Sequence, residues 1–271
     1  MKRYQKAYEK YPNKVQFAVI NLDQPQYSNR CNPIHPDLLK KDSDIIDAVY
    51  TIFYNIDKSS VTKEDFFKMS AAAITSASLL FLKIFQNGKY CSLPHLIEFI
   101  NQPYQDVLKI LGSYKELRYF TGSFSDALEN EAYEQLSGQV ASAKIPLSKL
   151  VTKEMFYVMT DPDNTGINLK VNEKENLTIL NIANNPKTQK TNAPANGLYM
   201  SQIAKLINDI GRVPCEFLVD ELPTIFINGL DNLIATARSN KVCVTLSFQD
   251  LAQLERDYGK EIATSIFNTV I

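Results

Sequence analysis

Three compact apolar runs, at residues 177–183, 215–219 and 242–246, follow one another with stretches of helical period between them. No other feature constrains the fold as much. Short continuous apolar runs suit strands covered on both faces. Strand, helix, strand, helix, strand implies crossover connections, hence parallel pairing and an α/β fold with a doubly wound sheet. The intervening helices are expected at 199–210 and near 230–237. An earlier apolar run, Val15 to Ile20, is expected to join the same sheet, and Met155 to Met159 reads as one more short strand. The polar stretch 189–196 reads as a solvated loop.

From Asp42 to about Ile145 the periodicity is helical throughout. Ser43 and Asp44 can cap a run with apolar residues at Ile45, Ile46, Val49, Ile52 and Phe53. Thr62-x-x-Asp65, with Glu64 in the first turn, suits the start of a long helix ending near Gly88. Shorter helices are expected at 93–100 and 104–111, each opened by a proline, and one continuous helix at 124–143. A helical tail is expected at 2–10. The division that follows is residues 1–41 and 151–271 as two parts of one α/β domain, with 42–150 as an inserted all-α domain.

The net charge of −1 excludes a broad basic field, so any contact with DNA must come from a local patch or an assembled ring. Cys31, Cys91, Cys215 and Cys243 form no C-x-x-C pair, which argues against zinc, and Cys215 and Cys243 sit in apolar strand-like runs, which argues that these two are buried, reduced thiols. The stretch 71–85 is apolar but interrupted by Thr75, Ser76, Ser78 and Lys83, and is expected to be too short and polar to span a bilayer. Met1 to Tyr11 is polar, unlike a secretory signal, so a cytoplasmic protein is expected. The nine glycines form neither G-x-x-x-x-G-K-[ST] nor G-x-G-x-x-G. The sequence thus holds no standard cradle for a nucleotide's phosphates.

Chemistry is expected at the carboxyl ends of the parallel strands, where open sheets bind ligands. Asp220-Glu221 follows the run 217–219 there. In P-loop ATPases an acid at this place holds Mg²⁺ and a neighbouring Glu polarises the attacking water. The alternative is a solvated strand end. Gln249 follows the next strand and can orient water or sense a γ-phosphate; alternatively it caps a helix together with Asp250, a natural N-cap. Arg238 closes the helical stretch before that strand. It can serve a neighbouring subunit's nucleotide or compensate its own helix dipole. Arg30, in the polar turn 27–33, reads first as loop structure, His95 as a helix-start residue, and Asp161 and Asp163 as turn residues.

These pieces, taken in order, resemble a known family. Phe217-Leu-Val-Asp-Glu-Leu-Pro-Thr224, Gly229-Leu-Asp231, Ile234-Ala-Thr-Ala-Arg-Ser-Asn-Lys241, Gln249-Asp250 and Gln253-Leu-x-x-x-Tyr-Gly259 are similar to the conjugative coupling proteins of TraG/TraD type, most closely the branch in Bacteroidetes mobile elements. Ser28-Asn-Arg-Cys-Asn-Pro33, Gly88 to His95 and Glu134 to Ser142 fit the same branch.

The resemblance implies a RecA-like P-loop NTPase core with an all-α insert. It implies a membrane-anchored homo-hexamer that uses ATP and Mg²⁺ to move single-stranded DNA, carried by a relaxase, to a type IV secretion channel. The expected place of work is the cytoplasmic face of the inner membrane. By position, Asp220 is the Walker B acid on Mg²⁺, Glu221 the water-activating carboxylate, Gln249 the γ-phosphate sensor and Arg238 a trans-acting arginine. The family's phosphate-binding Walker A loop and anchor are expected before residue 1, and more of its sheet after residue 271. The chain alone is therefore expected to bind no nucleotide and to be inactive.

Two other readings stand beside this one. A non-catalytic module could dock mobilisation partners through residues 42–145. A general RecA-like helicase shares the acids and Gln249 but leaves the long helical block unexplained.

Overall fold

The computed structural model describes residues 15–270, apart from 64 and 164. The expected helical tail at 2–10 and the first-turn role of Glu64 lie outside the described residues. The chain opens on strand β1 (Gln16–Ile20), which pairs in parallel with a later strand, and then enters a helical block. That block comprises α1 (Asp42–Ile56), α2 (Phe66–Ile84), α3 (Leu93–Asn101), α4 (Tyr104–Gly112), α5 (Arg118–Glu129) and α6 (Tyr133–Ser148). A short helix, α7 (Lys153–Met159), leads out of it.

The α/β part resumes with β2 (Asn172–Glu173) and β3 (Asn176–Ile182), then the long helix α8 (Gln189–Ile207). Strand β4 (Cys215–Val219), helix α9 (Leu230–Thr236) and strand β5 (Val242–Leu246) follow, and α10 (Leu251–Tyr258) and α11 (Lys260–Val270) close the chain. The parallel pairing is as expected: β1 with β3, and β4 with β5. The strands divide into two hydrogen-bonded sheets, β1-β3-β2 and β4-β5, with β2 antiparallel to β3. The Val213 amide donates to the Asn172 carbonyl at 3.0 Å and ties the two together.

Several local expectations are corrected. Residues 155–159 form a helix because their buried set is Met155, Val158 and Met159, an i, i+3, i+4 stripe, and the Thr152 hydroxyl caps it by accepting from the Met155 amide at 3.0 Å. The polar stretch 189–196 is the first part of α8, and Asn192 to Asn196 are buried. Its polarity is spent inside: Asn192 donates to Asp23 at 3.2 Å and Asn196 to the Ala183 carbonyl at 3.3 Å. The expected single helix at 124–143 is two, broken where Glu131 takes a positive φ of 56°. Helix α1 begins at Asp42, with Asp44 accepting from the Lys41 amide at 2.7 Å, and α2 is capped by Asp65, through the Lys68 amide at 2.9 Å.

One buried hydrophobic cluster runs through both the helical block and the α/β part. Helix α2 lies at its centre and packs on α1, α3, α5 and α6. By length and composition the segment Phe66–Gly88 is long and apolar enough to cross a membrane, contrary to expectation, and 67% of its most apolar window is buried inside the protein. Its burial there is that of a core helix. The burial expected of Cys215 and Cys243 is corrected, since Cys215 is half-buried and Cys243 is exposed on a face that no described element covers, whereas Cys31 and Cys91 are buried. The two-stranded β4-β5 sheet leaves one face open, with Glu216, Leu218, Cys243 and Thr245 all exposed.

Candidate functional site

Parallel pairing places Val219 opposite Leu246, so β4 and β5 release their following residues at the same edge. Two backbone bonds continue beyond the strands. The Ser247 amide donates to the Val219 carbonyl at 2.9 Å, and the Leu222 amide to the Ser247 carbonyl at 2.7 Å. Between those bonds the chain turns sharply at Glu221, which has a left-handed φ of 61°. For a residue with a Cβ this conformation costs about 1 kcal/mol, and it persists only where the surroundings over-determine it. Leu222, fully buried, anchors the turn from inside.

The turn aims Glu221 at the end of β5. There the Gln249 Nε2 donates to Glu221 Oε2 at 2.9 Å. Asp250, the next residue, caps α10 by accepting from the Ala252 amide at 2.9 Å. The capping role thus falls to Asp250, and Gln249 is left to the carboxylate. Asp220 is exposed, and no side chain among the described residues bonds to its carboxylate. Asp220 follows the last residue of β4 and Glu221 stands on the left-handed turn, so the two acids take separate surroundings.

The carboxyl ends of β1 and β3 reach the same neighbourhood. Asn184, beyond β3, donates to the Thr224 hydroxyl at 3.3 Å, and Gln189, at the start of α8, to the Thr224 carbonyl at 3.4 Å. Asp23, beyond β1, accepts from the Thr188 hydroxyl at 2.7 Å and from Asn192. The parallel pair β1 and β3 thus lies beside the loop that carries the acid pair, with Asn184 and Gln189 bonded to Thr224 and Asp23 bonded to the start of α8.

Arg238 sits elsewhere. It is exposed in the turn before β5, where the Val242 amide returns to the Ala237 carbonyl at 2.8 Å. That turn lies at the amino ends of β4 and β5, a five-residue strand or roughly 15 Å from Glu221. The structure thus unites Glu221 and Gln249, leaves Asp220 beside them, and sets Arg238 apart. Arg30 is loop structure: its Nε donates to the Thr160 carbonyl at 2.9 Å and its guanidinium lies 4.8 Å from the Tyr157 ring centroid. His95 bonds Ser92 at 2.7 Å at the start of α3, and Asp161 holds the turn through the amides of Thr165 and Gly166.

Sequence reasoning missed three residues that hold the loop after the acids. Asn55 and Tyr258 bond its backbone at residues 225–227, and Lys58 bonds the Pro223 carbonyl. A signal existed for Asn55, the polar residue in the otherwise apolar turn Ile52-Phe-Tyr-Asn-Ile56.

The donor set limits what can bind. Among the described residues no three His, Cys, Asp or Glu side chains converge into a cage for a divalent cation. One free carboxylate at a strand end does fit Mg²⁺ held chiefly by a nucleotide's phosphates and water.

Residues 214–271 match the family model described as the TraM recognition site of TraD and TraG. No curated protein matches the chain. Solved structures do: plasmid coupling protein TrwB in complex with ADP and Mg²⁺ superposes with a TM-score of 0.69 at 14% identity, covering 94% of this chain and 57% of that one. The complex of TrwB with the GTP analogue GDPNP gives the same figures. The unbound bacterial conjugative coupling protein TrwBdeltaN70 has a TM-score of 0.70 at 13% identity, over 93% of this chain and 55% of that one. The chain thus spans a little over half the length of these structures. The resemblance to the TraG/TraD type is borne out, as is the fold class, a partial α/β fold with mostly parallel strands.

Proposed function

We propose that this chain is the Mg²⁺- and water-facing part of a DNA-translocating ATPase of the conjugative coupling type. The observation that carries the reading is the hydrogen bond from Gln249 to Glu221 across the carboxyl ends of two parallel strands. A carboxylate fixed by an amide at that edge is placed to accept a proton from water while the amide orients it. Asp220 would hold Mg²⁺ together with the nucleotide, and the ion would offset charge on the phosphate oxygens. Arg238, exposed at the far end of β5, cannot reach this pair within one chain, so its role is to a neighbouring subunit in a ring.

The cargo on this reading is single-stranded DNA with its relaxase, delivered to a type IV secretion channel by a hexamer at the cytoplasmic face of the inner membrane. Residues 42–150 act as an inserted domain facing that cargo. The sequence has no glycine-rich phosphate loop, so the 271-residue chain alone neither binds nor hydrolyses ATP. The test is ATPase activity of the chain alone and of a form extended upstream through a phosphate-binding loop. The extended form should hydrolyse ATP and lose at least about a hundredfold in rate with Glu221→Gln. Strong Glu221-dependent activity in the chain alone would overturn the claim that its site is incomplete.

A second reading is favoured by the match of residues 214–271 to a TraM recognition site. The chain could act as a partner-docking module without turnover. Retention of a purified TraM-type protein by the chain, undiminished by Glu221→Gln, would support docking apart from catalysis.

A further inference from the structure

We propose that Asn55, from the first helix of the helical block, is a positioning residue for the Glu221–Gln249 pair and couples the block to it. The inference rests on the reading of that pair as the water-handling site.

The segment 222–227 leads directly away from Glu221, and Ile225, Phe226 and Ile227 are each at most 7% exposed. It belongs to no sheet there, so its buried backbone groups need other partners. Asn55 supplies two: its Oδ1 accepts from the Phe226 amide at 2.7 Å and its Nδ2 donates to the Phe226 carbonyl at 2.8 Å. The side-chain amide thus pairs with Phe226 as a neighbouring strand would. Tyr258 supplies the flanking pair, its hydroxyl donating to the Ile225 carbonyl at 2.9 Å and accepting from the Ile227 amide at 2.9 Å.

The clamp is built into the helix packing. A Cβ at Gly197 of α8 would lie 2.2 Å from Asn55 Nδ2, so the absence of a side chain there makes room for the amide. The Phe226 ring lies between two others, stacked on Tyr258 with centroids 4.8 Å apart and edge-on to Tyr54 at 5.1 Å. A displacement of α1 against α8 must therefore move Phe226. Residues 222–224 form a tight turn, in which the Thr224 amide donates to the Glu221 carbonyl at 3.1 Å. Little slack remains between the clamp and the left-handed backbone at Glu221. Binding of a macromolecule to the helical block would be felt at the carboxylate by this route.

Amide hydrogen exchange of the 271-residue chain tests the coupling without any need for nucleotide. Asn55→Ala should speed exchange about tenfold at Phe226 and, decisively, at Leu222, whose amide bonds Ser247 and not Asn55. The β4 amides serve as an internal control and should be unchanged. Faster exchange at Phe226 alone, or uniform acceleration including β4, would overturn the proposal and leave Asn55 a local plug. If Asn55→Ala does not fold, Asn55→Asp keeps the acceptor for Phe226 and removes the donor. Accelerated Leu222 exchange in that variant supports the coupling, and unchanged exchange overturns it. The function reading fails separately, if Glu221→Gln leaves turnover intact in the extended form.

Discussion

The Gln249 side chain donates to Glu221 across the ends of two adjacent parallel strands, while Glu221 holds a left-handed backbone that residues with a Cβ avoid. Strain at a site that other interactions over-determine is the pattern expected where geometry serves function more than stability. Glu221→Gly should therefore raise stability, by up to about 1 kcal/mol in chemical denaturation, because glycine adopts positive φ freely. The same change at Glu216, exposed in the middle of β4, should lower stability, since glycine weakens a strand. A loss of stability at Glu221 comparable to that at Glu216 would show that the carboxylate supports the fold.

The buried and exposed thiols give a direct check on the packing. Burial pushes the Cys31 thiol far up, with the nearby Asp161 adding to the effect, and pushes Cys91 up to about 12 despite the opposing Lys83. Reactivity follows the thiolate and its access to solvent. At neutral pH an aromatic disulfide reagent should label Cys243 first and Cys215 more slowly, leaving Cys31 and Cys91 unmodified until the protein unfolds. Mass spectrometry of timed samples reads the order, and early labelling of Cys91 would contradict the contact of its Sγ with the Ile34 carbonyl at 3.2 Å.

How far the sequence could be read depended on whether local pattern or distant partners decided each element. The four parallel strands were legible because compact apolar runs need cover on both sides, and β1, β3, β4 and β5 all fall on such runs. Asp220 and Glu221 were legible for the same reason, since they follow a strand whose direction the crossover helices imply. The start of α8 was not legible. Thr191-Asn-Ala-Pro-Ala-Asn196 looks like a loop until Asp23, remote in sequence, and the Ala183 carbonyl at the end of β3 accept its amide groups. The exposure of Cys243 was hidden too, because apolar composition does not reveal how many strands will cover a face. Asn55 and Tyr258 escaped because their partners are backbone groups of a segment with no pattern of its own.

Tyr199 offers a second measure of the core. Its hydroxyl donates to the Cys31 carbonyl at 2.6 Å and the side chain is fully buried. Burial holds the phenol well above its usual range, with the nearby Cys31 adding to the effect, so it stays a neutral donor at any working pH. Tyr199→Phe keeps the ring and removes the donor, leaving a buried carbonyl unpaired. The expected cost is about 1–2 kcal/mol in chemical denaturation with an unchanged slope. A cost near zero would mean that water reaches the Cys31 carbonyl.

Asp257 adjoins the clamp residue Tyr258, and its side chain is 6% exposed between Lys58 at 3.0 Å and Arg256 at 2.7 Å. Burial pushes its carboxyl up, but hydrogen bonds and charge from Arg256 and Lys58 outweigh that and hold it below its usual value. A carboxyl depressed in the folded state contributes stability that is fully present above the unfolded value, about 3.9. That stability is lost as pH falls through the folded value. Asp257→Asn should therefore cost stability at pH 7, by about 1–3 kcal/mol, since Lys58 loses its charged partner near the Pro223 carbonyl. Below about pH 4 the difference from the wild-type chain should shrink, because the unfolded chain's carboxyl then takes up a proton that the folded carboxyl, held lower, accepts only at more acid pH. Denaturation curves from pH 3 to pH 7 read the trend. A difference that stays constant over that range would show that Asp257 acts by packing and not by charge.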